Sequence, residues 1–120
     1  MGAWGERPYD NDTASDWLHE VLTTASDKIE ELVNLPVDAS NYDEYRAAAW
    51  LLTKICRTYV YDAEHIDDHL SKLHDRLQTI KNDIGYIATW KSPTEFVNDL
   101  DELIQQIQRV CKWNNVTVTF

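Results

Sequence analysis

The run Ile66-Asp67-Asp68-His69-Leu70-Ser71-Lys72-Leu73-His74-Asp75-Arg76-Leu77-Gln78-Thr79-Ile80-Lys81-Asn82-Asp83-Ile84-Gly85-Tyr86-Ile87 decides the fold. Its apolar residues Ile66, Leu70, Leu73, Leu77, Ile80, Ile84 and Ile87 alternate spacings of four and three over 22 residues. An α-helix turns once in about 3.6 residues, so this alternation draws a single seam along one face. Three heptads of seam predict a long helix packed lengthwise against partners. An intermolecular coiled coil is one way to cover it. An intramolecular bundle is favoured, because the flanking segments carry matching stripes.

Upstream, Trp17, Leu18, Val21, Leu22, Ala25, Ile29, Leu32 and Val33 recur at three and four, which predicts a helix from about Thr13 to Val33. Asp12 or Thr13 suits its N-cap, and Asp16 complements its dipole. Leu35-Pro36-Val37 ends it, since a residue before proline avoids helical angles. Asp16, Glu20, Asp27 and Glu31 form an acidic stripe on another face. A second helix starts near Asn41, with Asn41 and Glu44 spaced as a capping box. Tyr45, Ala48, Ala49, Leu52, Ile55, Cys56 and Tyr59 make its apolar face. Arg46, Lys54 and Arg57 are expected to face the acidic stripe of the first helix. Ser92-Pro93-Thr94-Glu95 opens the last helix, with Ser as cap and Pro in the first position. Its buried face is Phe96, Val97, Leu100, Leu103, Ile104, Ile107, Val110 and Cys111, and Asn114-Asn115 stops it. Val116-Thr117-Val118-Thr119-Phe120 alternates as a short strand would, with the segment around Ala3-Trp4 as a candidate partner. The expected fold is mostly all-α: a four-helix bundle-like single domain over residues 1–120 with a short C-terminal β-strand.

The chain carries a formal charge of −10. Residues 1–45 hold eleven acidic and two basic side chains, and residues 46–120 ten and nine. An acidic front half repels phosphates, which argues against nucleic acid, and would steer a basic protein. No leader pattern and no apolar run near 18 residues is visible, so neither secretion nor membrane insertion is expected. Cys56 and Cys111 fall within apolar stripes, as buried free thiols of an intracellular protein do.

Specific chemistry finds little support. His65 and His69 share a helix face, with Asp62, Asp68 and His74 near. Two imidazoles four apart can hold zinc, but the His-Glu-x-x-His order is absent, and the expectation is ordinary surface histidines with no metal. Asp10, Asp12 and Asp16 fail as a calcium loop, because the sixth and twelfth positions are Ser15 and Val21. The three glycines, Gly2, Gly5 and Gly85, cannot form a phosphate loop, and no nucleophile elbow exists. Neither an enzyme nor a cofactor is expected.

The N-terminus reads Met1-Gly2-Ala3-Trp4-Gly5, followed by Tyr9, Asn11-Asp12 and Asp16-Trp17. With Tyr45-Arg46-Ala47-Ala48-Ala49, Trp90, Glu95 and Phe96, this pattern resembles the bacterial domain of unknown function 4259 family. The chain departs from that pattern at Gly5-Glu6-Arg7-Pro8 and at Trp50. The family carries no established activity. The resemblance therefore implies a fold and a bacterial cytoplasmic setting, and no mechanism.

The expected role is a non-enzymatic acidic protein-binding module, of the immunity or inhibitor type. Trp4, Asp16, Glu20, Asp27 and Glu31 are its candidate contact residues, and a basic protein is its partner. Trp4, Tyr9 and Trp17 form an aromatic group that either closes the bundle or anchors that partner. Two alternatives stand: a metal-dependent enzyme or sensor on the His65/His69 face, and a structural homo-oligomer made through the heptad seam.

Overall fold

A computed structural model describes residues 12–56 and 65–113. Among these residues, five helices follow in order: α1 (Asp12–Asn34), α2 (Tyr42–Ile55), α3 (Ile66–Asn82), α4 (Ile84–Ile87) and α5 (Pro93–Trp113), with a 3-10 turn at Ala39–Asn41. No strand occurs among the described residues. The expected strand at 116–120 lies outside them, as do Trp4, Tyr9, Arg57, Tyr59 and Asp62. Among the described residues, no helix is long and apolar enough to cross a membrane.

The core is built by α2, α3 and α5, whose apolar stripes converge. Leu70, Leu73, Leu77 and Ile80 of α3 are fully buried, as are Tyr45 and Leu52 of α2 and Ile107 of α5. Burying such side chains removes about 25 cal/mol of unfavourable hydration per Å² of apolar surface. The seam of α3 is thus covered by its own chain, and from Leu70 to Ile80 it offers no face for an intermolecular coiled coil.

Two details depart from the periodicity. The seam was expected to run unbroken to Ile87, but the helix ends at Asn82. Asp83 takes φ −88° and ψ 82°, and its carboxylate accepts from the Tyr86 amide at 3.0 Å and the Tyr42 hydroxyl at 2.9 Å. A short carboxylate that bonds nearby backbone competes with helix continuation, and here it starts the new turn of α4. Ile84 consequently points outward at 80% exposed. Tyr86 instead swings onto Tyr42, with ring centroids 4.7 Å apart and near-perpendicular planes.

At the start of α2, Asn41 makes no side-chain cap hydrogen bond, so the expected capping box does not form. The cap lies earlier, where Asp38 accepts from the Ser40 amide at 3.1 Å and begins the 3-10 turn.

The α1 helix packs on α3 and α2 from outside. Its buried stripe is narrow: Leu22, Ser26, Ile29 and Val33. Trp17 and Val21, expected in that stripe, are 63% and 44% exposed, because α1 meets the core along one side only. Its C-terminal end is held by α3. Arg76 donates to the Val33 carbonyl at 3.0 Å and Lys72 to Asn34 Oδ1 at 3.4 Å. Cations at the end of a helix satisfy its last carbonyls and complement its dipole. These bonds fix the register of α1 along α3.

Candidate functional site

That register presents two surfaces of α1. On its outer side Asp16, Glu20, Asp27 and Glu31 are all exposed. Helical geometry places them within about 60° of one another around the axis. Among the described residues, no cation lies within ion-pair distance of any of the four.

Among the described residues, the expected pairing of this stripe does not form: Arg46 and Lys54 face elsewhere, and Arg57 lies outside those residues. Arg46 sits 3.9 Å from Asp43 on its own helix, and its guanidinium lies over the rings of Phe96 and Trp90, at 4.6 and 5.4 Å. Lys54 lies 5.5 Å over the Trp50 ring. Both cations line a groove shared with Asp99 and Glu102 of α5. The basic face of α2 turns toward α5 because Tyr45, Ala49 and Leu52 must face the core. That rotation carries Arg46 and Lys54 away from α1.

Beside the acidic stripe lies an apolar cleft of 630 Å³ between α1 and α2. Val21, Ala25, Leu32 and Leu35 form one wall, and Ala48 and Leu51 the other. Lys28, Glu31 and Glu44 rim it. The small side chains Ala47 and Ala48 of α2 leave this space open on the α1 side. Trp17 and Leu35, 63% and 46% exposed, extend the apolar surface along α1.

The second surface faces α3. Glu30 Oε2 lies 2.8 Å from Nε2 of His69, which is fully buried. An ionised carboxylate only accepts, so the imidazole donates from Nε2. Glu30 Oε1 also accepts from Asn34 at 2.7 Å. The His69 and Asn34 bonds, in that order, hold the Glu30 carboxyl below its ordinary value. His65 Nε2 stands 3.9 Å from the same Oε2, and the His65 ring stacks on His69 with centroids 5.5 Å apart. Asp68 joins Glu30 and His69: the ligand atoms of these three all lie within 4.8 Å of one another.

The reading of these histidines as ordinary surface residues therefore fails for His69, and also for His74, which is 2% exposed. His74 Nε2 lies 3.2 Å from the Gln108 side-chain nitrogen. An amide donates there to a neutral ring, and burial lowers the affinity of His74 for a second proton. Each of these histidines flanks a seam leucine, Leu70 or Leu73, which is the one sequence signal that places them at the rim of the core. Burial pushes the Cys56 thiol up to about 12 and the Cys111 thiol to about 11, so both stay protonated near neutral pH.

A family model described as a domain of unknown function, DUF4259, matches residues 2–114. The chain belongs to that family. No curated protein and no solved structure matches it.

Proposed function

We propose that this protein is a non-enzymatic binding module that engages a basic protein through the outer side of α1. The observation that carries this reading is the row Asp16, Glu20, Asp27 and Glu31, exposed together beside an apolar cleft. A carboxylate row steers a basic surface during encounter, and an apolar cleft supplies the burial that holds it. A basic amphipathic helix meets both demands, with its apolar residues in the cleft and its lysines or arginines along the stripe. Trp17 is the aromatic anchor of this surface, at 63% exposed. Trp4 lies outside the described residues. An immunity-type or inhibitor role against a basic cytoplasmic protein fits this charge and size.

The test is capture from the cytoplasm of the source organism by the wild-type protein and by Asp27→Lys with Glu31→Lys. A partner recovered by the first form and lost by the second supports the reading. Equal recovery of the same partner by both forms contradicts it.

A further inference from the structure

We propose that Glu30, His65, Asp68 and His69 form a zinc site that clamps α1 to α3. The donor set consists of two imidazoles, four residues apart on α3, and two carboxylates, one of them from α1. Glu30, Asp68 and His69 bring their ligand atoms within 4.8 Å of one another, and His65, 3.9 Å from Glu30 Oε2 with a 41% exposed side chain, turns in as the fourth ligand on binding. Two nitrogens and two oxygens suit a four-coordinate divalent ion, and two carboxylates beside neutral imidazoles balance its charge.

Three of the ligand atoms are already gathered for such an ion, those of Glu30, Asp68 and His69. Bonds of about 2.0–2.2 Å in a tetrahedron set neighbouring ligand atoms about 3.3 Å apart. Glu30 Oε2 stands 2.8 Å from His69 Nε2 and 3.9 Å from His65 Nε2. The His65 ring must rotate toward His69 to complete the tetrahedron. Asp68 closes the fourth side, its ligand atom within 4.8 Å of those of Glu30 and His69.

The site is also built rather than merely clustered. His69 is fully buried, so its ring cannot turn away into solvent. Asn34 holds the far oxygen of Glu30 at 2.7 Å, which is the outer support that metal-ligating carboxylates require. Metal binding at Nε2 moves the His69 proton to Nδ1, the tautomer in which Nε2 is a ligand. Lys72, 3.1 Å from Asp68, is the cation that competes for that carboxylate, which makes Asp68 the weakest of the four ligands. The site is independent of the proposed binding face, since it uses none of Asp16, Glu20, Asp27 and Glu31.

The experiment is calorimetric titration of zinc chloride into untagged, chelator-treated protein, with thermal melts of the same samples. One zinc per chain is expected, with a rise in Tm. Glu30→Gln and His65→Gln should each weaken binding at least tenfold and remove that rise. His19→Gln, about 16 Å along α1 from Glu30, serves as the control and should change neither. Cobalt should give the intense visible bands of a tetrahedral ion with the wild type and lose them in Glu30→Gln. Absence of stoichiometric zinc binding overturns the proposal. So does binding of undiminished strength in both Glu30→Gln and His65→Gln.

Discussion

Glu30 and His69 meet at 2.8 Å across 39 residues of chain, joining the outermost long helix to the buried rim of the core. One partner is partly exposed and the other fully buried, so the contact couples the docking of α1 to solvent conditions.

Acid should loosen the fold in two stages, at His74 beside α5 and at Glu30 on α1. The pKa of His74 is depressed by burial, so its contribution is present above its ordinary value of 6.5 and is lost as pH falls. Glu30 is depressed by its bonds to His69 and Asn34, so its contribution is present above 4.5 and is lost below. Thermal melts across this range should show Tm falling from about pH 6.5 downward, and again below 4.5. A Tm independent of pH through both windows would show that neither group is paired as described.

The break at Asp83 supports a specific substitution. Asp83→Ala removes the cap of α4 and the acceptor of the Tyr42 hydroxyl together. A cap is worth about 1 kcal/mol, and a hydrogen bond to a charged group about 1.5–3. Loss of about 2.5–4 kcal/mol is expected in denaturant unfolding. Tyr42→Phe should lose only the hydroxyl share, and equal losses in the two variants would separate the cap from stability.

Leu73→Ala probes the seam itself. A fully buried leucine replaced by alanine costs about 2–5 kcal/mol. An unmoved unfolding midpoint would place this face on the surface.

The thiols give a kinetic check. With Cys56 raised to about 12 and Cys111 to about 11, a thiol reagent at neutral pH should label the native protein far more slowly than the denatured chain. Their shared sign also predicts falling stability in alkali, from the ordinary thiol value of 9.0 upward. Rapid native labelling of both would contradict their burial.

Much of this fold can be read from spacing because a helix repeats. The stripe from Leu70 to Ile80 appears in the structure as its periodicity predicts, and so does that from Phe96 to Cys111 apart from Val97 and Leu103, which are half-buried. Local competition is what spacing misses. Ile84 and Ile87 continue the pattern, yet the Asp83 side chain captures backbone amides and redirects the chain; Gly85, a poor helix former, was the available hint. The widths of stripes mislead in α1, because a helix lying against one side of a core leaves residues such as Trp17 outside. The acidic stripe is local and was visible at once. The Glu30–His69 contact was not, because nothing in a single chain marks residues of different helices as neighbours.

The central claim is that the outer face of α1 is reserved for a partner rather than used in folding. The most direct measurement combines the melting curve of Asp27→Lys with Glu31→Lys and its association rate with the captured protein at several salt concentrations. Both side chains are exposed and meet no described cation, so Tm should stay within the small range of surface substitutions. Association should slow markedly and lose its salt dependence, because screening over about 8–10 Å acts on the charges removed. A large fall in Tm with an unchanged association rate would contradict the account and place these carboxylates inside the fold's own network.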